Sequence, residues 1–100
     1  MYNFGNVVLA QVQYVDTSEV KIRPCLVLFQ EEGNIIVAGI TSNLKMKGIL
    51  LKKNEGAIRN SVIKLNYIFT ISEFMVKKYL FSITEEKKKI VSEELVKRLK

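Results

Sequence analysis

Along "VVLAQVQY" (7–14) apolar and polar positions alternate, with Val8, Ala10, Val12 and Tyr14 on one face and Gln11 and Gln13 on the other. A period of two predicts a half-buried strand. "VDTSEVK" (15–21) carries the turn formers Asp16, Thr17 and Ser18 and predicts a loop. "RPCLVLF" (23–29) is apolar on both faces, which predicts a central strand. "QEEGN" (30–34) then predicts a hairpin turn, and "IIVAGIT" (35–41) an antiparallel partner. Beyond it, "GILLK" (48–52) predicts a short strand, "KNEGAIRN" (53–60) a loop and "SVIKL" (61–65) another strand. "YIFTIS" (67–72) fits a strand or a tight buried corner, and "EFMVKKYLFSI" (73–83) fits a short helical turn or a strand.

The last element changes period. Val91, Leu95 and Leu99, flanked by Ile90 and Val96, recur at helical spacing. Thr84 suits an N-cap, Glu85 and Glu86 the positive end of a helix dipole, and Lys97, Arg98 and Lys100 the negative end. Many short strands followed by one helix predict a mainly β fold with some α. The expected form is a small, curled antiparallel barrel with a C-terminal helix, as one domain over residues 1–100.

Composition removes several function classes. At 48% apolar and 26% charged residues the chain reads as an ordinary globular protein. No apolar run reaches the roughly 20 residues of a membrane span, and "MYNFGN" lacks the pattern of a signal peptide, so a cytoplasmic location is expected. There is no histidine, which removes the usual general base and the commonest zinc ligand. Cys25 stands alone inside an apolar run and is expected to be a buried, inert thiol. No metal or cofactor motif is present.

The net charge of +6 is unevenly placed. Residues 1–44 hold two basic and four acidic side chains, so residues 45–100 carry +8. Lys45, Lys47, Lys52, Lys53, Arg59 and Lys64 fall within twenty positions, opposed only by Glu55. Such a surface suits a polyanion or an acidic peptide, although lysine-rich surfaces also serve solubility alone.

One arrangement suggests chemistry. Pro24, unable to donate to a sheet ladder, is expected at the first residue of its strand or on an edge. Arg23 beside it is a fixed cation at the mouth of a core strand. Antiparallel pairing about the turn near Gly33 brings Arg23 to the same end of the sheet as Thr41-Ser42-Asn43. The loop carrying Asp16, Ser18, Glu19 and Lys21 lies at that end too. A guanidinium beside hydroxyls suits an oxyanion such as phosphate. The alternative is that Arg23 pairs with Asp16 or Glu19 and Thr41 is a β-former only.

"GNVVLAQVQYVDTSEVKIRPCLVL" resembles the opening of the PemK/MazF toxin family in the spacing of Gly5, Asp16, Ser18, Lys21, Arg23 and Pro24. "GITSN" resembles the close of that family's next strand, and "NSVIKLNYIFTIS" its Ser-Val segment with a Thr-Ile end. The chain departs from the pattern where Gly-Asp is Gly5-Asn6, where an aromatic-Pro-aromatic stretch is "VQY", and where a loop glycine is Glu19. The resemblance implies an SH3-like barrel, a homodimer, an acidic antitoxin partner and no cofactor. It also implies a metal-independent endoribonuclease of single-stranded RNA, in which the substrate's 2′-hydroxyl attacks the adjacent phosphorus. The family's catalytic arginine maps to Arg23 and its catalytic threonine or serine to Thr41. An RNA path is then expected over Tyr14, Asp16, Ser18, Glu19 and Lys21, continuing to Ser42, Asn43 and Lys45. A barrel of the same fold that binds RNA or protein without catalysis is the alternative.

Overall fold

The computed structural model of the chain describes residues 1–13, 19–57 and 59–100. Strand β1 spans Asn6–Val12, β2 Lys21–Glu31, β3 Asn34–Thr41, β4 Ile49–Leu51, β5 Ser61–Ser72 and β6 Val76–Ser82. Helix α1 spans Glu85–Arg98, and short 3-10 turns occupy Lys53–Glu55 and Glu73–Met75. The six strands form one antiparallel sheet in the order β4-β5-β3-β2-β1-β6. Its two edges do not pair. Leu51 of β4 and Leu80 and Phe81 of β6 nevertheless pack on the same apolar cluster, so the sheet curls into a barrel-like fold.

The apolar run of β2 feeds two cores. Leu26 packs with Val7, Ala38, Ile40, Ile63 and the helix residue Val91 on one face. Cys25 and Val27 pack with Val8, Ala10, Val12, Ile35, Val37 and Ile71 on the other. A strand buried on both faces needs apolar residues at successive positions, which is what "CLVL" supplies. The same fact corrects the half-buried reading of β1. Val8, Ala10 and Val12 do share a face, but Val7 is buried on the opposite one.

A two-residue turn joins β2 to β3. Glu32 and Gly33 both have positive φ, 52° and 81°, the sign required at both central positions of a type I′ hairpin turn. Gly33 meets this cheaply, whereas Glu32 is a strained choice for the left-handed region. A bulge then interrupts the pairing. Phe29 faces Ile36 but Val27 faces Val37, so Leu28 is an extra residue on β2.

Where the sequence left alternatives, the structure selects among them. "SVIKL" and "YIFTIS" form one twelve-residue strand, bent where three residues of β5 intervene between the pairs Gly39–Lys64 and Ala38–Ile68. "EFMVKKYLFSI" divides into the 3-10 turn and β6. Thr84 does cap α1, its hydroxyl oxygen accepting from the Lys87 N–H at 3.1 Å. The apolar stripe of the helix is only partly used. Val91 is buried and Leu95 packs on the core, but Val96 is 49% and Leu99 86% exposed. The helix crosses the sheet near its middle turns, and its last turn overhangs.

Candidate functional site

Lys21, Ile22, Arg23 and Pro24 pair with β1 through Val12, Gln11, Ala10 and Leu9. On its other side, β2 pairs with β3 only from Cys25–Gly39 onward. Pro24 is therefore inside the strand, not its first residue, because the β1 ladder begins three residues earlier. It sits where β2 has one ladder neighbour instead of two, the edge-like setting a proline tolerates. Meanwhile β3 continues to Thr41 by pairing with β5, through Ile40–Ile63 and Thr41–Val62. The two strands of the hairpin thus separate at this end. Continued two residues past Cys25–Gly39 at the same offset, the register sets Arg23 level with Thr41.

A cavity of about 370 Å³ opens at this fork. Arg23, Thr41 and Ser42 line it, together with Arg59 and Ser61 from the start of β5. Its floor is apolar, formed in part by Ile40, Leu51, Leu80 and Phe81. Among the described residues, both charged side chains lining the cavity are arginines, and neither an acid nor a lysine joins them. A lining so composed suits an anion with an apolar body attached.

Local chemistry fixes the polar groups. Arg23 is half-buried, and its carbonyl accepts from the Cys25 thiol at 3.7 Å. Burial pushes that thiol up from 9.0 to about 12, against the pull of the Arg23 charge. The buried cysteine expected from the apolar run is thereby found, and the arginine's field reaches into the core beside it. Thr41 Oγ1 accepts from the Asn43 N–H at 3.1 Å, and Asn43 Oδ1 accepts from the Lys45 N–H at 3.1 Å. These two side-chain turns fold the segment after β3. A hydroxyl oxygen that accepts in this way still has its own proton to donate.

Of the residues expected to form the site, Arg23, Thr41 and Ser42 come together. Asn43 and Lys45 do not line the cavity; they shape and follow the turn beyond it. Glu19 and Lys21 form an exposed ion pair at 3.1 Å, so the acid at this loop position is met by its own neighbour. Neither lines the cavity. Tyr14, Asp16 and Ser18 lie outside the described residues. Asn6, which replaces an expected acid, is committed elsewhere: its amide donates to Ser82 Oγ at 2.8 Å and its oxygen accepts from the Asn3 N–H at 2.9 Å. It does not line the cavity either.

Arg59, Ser61 and the floor residues were not singled out by sequence. Arg59 counted only as one of six basic residues. The available signal was register: a strand paired with β3 in antiparallel must begin beside the end of β3, so the residues opening "SVIKL" belong with Thr41 and Ser42. Ser61 Oγ donates to the Arg59 carbonyl at 2.9 Å, tying that opening together.

Compared with known protein families, residues 3–99 match the PemK-like, MazF-like toxin of type II toxin–antitoxin system. The chain belongs to this toxin family. The match spans nearly the full length and agrees with the strand-rich, helix-terminated fold. No curated protein matches the chain. A type II toxin acts opposite an antitoxin, so family membership brings with it a partner of that kind. No helix among the described residues is long and apolar enough to cross a membrane.

Proposed function

We propose that the protein is a toxin-type endoribonuclease acting on single-stranded RNA without a metal, and that the cavity at the β2–β3 fork is its active site. The observation that carries this reading is the pair Arg23 and Thr41, set level at a cavity whose described charged lining is two arginines. In the reaction, the 2′-hydroxyl of the substrate attacks the adjacent phosphorus, leaving a 2′,3′-cyclic phosphate and a 5′-hydroxyl. The protein supplies no nucleophile, so the missing histidine and the inert Cys25 are no obstacle. Arg23 stabilises the charge growing on the nonbridging oxygens, a preorganised cation on a strand rather than a loop. Thr41, its oxygen already accepting from Asn43, donates its proton toward the phosphate and fixes its position.

The antitoxin is proposed to present an acidic, extended segment to the exposed basic residues Lys45, Lys47, Lys52, Lys53 and Arg59 and to the cavity, whereas Lys64 is buried and donates to the Lys47 carbonyl, and the toxin is proposed to act as a homodimer. Both follow from the family likeness and the charge distribution.

The test is incubation of the purified protein with mixed single-stranded RNA in EDTA, followed by analysis of the ends. Cyclic-phosphate termini that vanish with Arg23→Ala support the reading. RNA that is bound yet stays intact indicates a binding module instead.

A further inference from the structure

Arg23 and Arg59 reach the cavity from different sides. Arg23 enters from the free end of β2, and Arg59 from the residues leading into β5. The Arg59 backbone is held by the Ser61 hydroxyl at 2.9 Å, and the next residue's Asn60 Oδ1 accepts from the Lys53 N–H at 2.8 Å. The 53–55 turn is anchored in its own right, because Glu55 pairs with Lys87 of α1 at 3.5 Å and Lys87 also donates to the Leu50 carbonyl at 2.7 Å. The segment is thus pinned at several points. Its guanidinium is exposed and makes no ion pair or hydrogen bond with another described residue. A cation held by its backbone, with its head in a cavity that no described acid lines, is placed for an anion from outside.

The same cavity that the two arginines line has an apolar floor that includes Leu51 and Phe81. At about 370 Å³ the cavity is near the small end of ligand pockets, which run from roughly 300 to 1,000 Å³. That is room for a single nucleoside, not for several.

Resting on the reading of the cavity as an RNA site, we propose that Arg59 binds the phosphodiester next to the one at Arg23, with the intervening nucleoside seated on the apolar floor. Arg59 is then a substrate-binding residue that sets where the strand lies, and of the two arginines only Arg23 acts on the reacting phosphate. A division of this kind separates KM from kcat. Arg59→Gln removes the charge from an exposed side chain while leaving the Ser61 tie to its carbonyl intact.

The experiment measures binding of an all-2′-deoxy oligonucleotide, which cannot be cleaved by its own 2′-hydroxyl, across a salt series. For the wild type against Arg59→Gln the expected result is about tenfold weaker binding at low salt and a log–log salt slope smaller by about 0.7, the value for one single-strand phosphate contact. Arg59→Lys keeps the charge and should retain the wild-type slope. On cleavable RNA, KM rises about tenfold with kcat within about twofold of wild type. Replacing the phosphate beside the scissile one by a neutral methylphosphonate weakens wild-type binding by the same factor, and leaves Arg59→Gln unaffected. An unchanged salt slope, or a methylphosphonate penalty equal in both proteins, overturns the proposal. So does a fall in kcat at constant KM. The binding arm does not need cleavage, so a protein that binds through Arg59 but cuts nothing would refute the nuclease reading and keep this one.

Discussion

Two of the gaps in the packing of this small sheet differ in size, in origin and in what lines them. The first is the cavity at the β2–β3 fork, about 370 Å³, where arginines and hydroxyls stand over an apolar floor. The second is a groove of about 530 Å³ under the end of α1, where Phe29, Ile36, Ile68, Val96 and Leu99 meet with Arg98 as its one charge among the described residues. The fork exists because two strands part company, so their backbone ends and polar side chains face the space. The groove exists because a helix overhangs a bent sheet, so what faces the space is leftover apolar surface. A gap made by diverging strands comes supplied with chemistry, whereas a gap made by an overhanging helix does not.

The sharpest way to break this contrast is to disarm one gap and then the other. Arg23→Ala is expected to lower RNA cleavage by about 100-fold or more, on the scale of losing an oxyanion donor. Leu99→Ser, in the groove, should leave the cleavage rate within about twofold. Equal losses from both would show that the fork is not the reactive gap. Stability should divide along the same helix. Val91→Ala removes buried methyl groups at 0% exposure and should cost about 1–3 kcal/mol in urea unfolding. Leu99→Ala, at 86% exposure, should stay within about 0.5 kcal/mol.

A third measurement tests the core beside Arg23. The Cys25 thiol sits at about 12 in the folded chain and near 9.0 when exposed. Its folded value is the higher one, so the unfolded chain releases this proton first. The contribution of the thiol to stability is therefore complete below pH 9 and lost as pH rises from there toward 12. Cys25→Ala should flatten that part of the stability–pH curve, and the native thiol should resist alkylation at pH 8. The smallest effect belongs to the hairpin turn. Glu32→Asn relieves a positive φ of 52° and should add up to about 0.5 kcal/mol without altering cleavage.

Much of this was legible before any coordinates. The strand at "VVLAQV", the doubly buried "CLV" and the Thr84 cap each follow from one local physical cause and appear as expected, although β1 is buried on both faces and not on one. The Arg23–Thr41 neighbourhood could be placed because a hairpin turn relates the start of one strand to the end of the other. What stayed hidden depends on contacts between distant segments. Nothing in "NSVIKL" says that Ser61 lines a cavity with Arg23; only the pairing of β5 with β3 does. Likewise the stripe on α1 is uniform in sequence, and the point where it leaves the sheet is set by the sheet's extent. Pro24 taught a subtler lesson. It marks not where β2 begins but where β2 loses a neighbour.

The bulge at Leu28 sets the alignment of the proposed site. From the Glu32–Gly33 turn back to Phe29, the residue numbers of paired positions total 65; beyond Leu28 they total 64. Counted from the turn alone, Arg23 would come level with Ser42, and the added residue moves it to Thr41. The hairpin therefore behaves as a vernier, in which one surplus tooth far from the cavity sets which residue past the last β2–β3 pair comes level with Arg23.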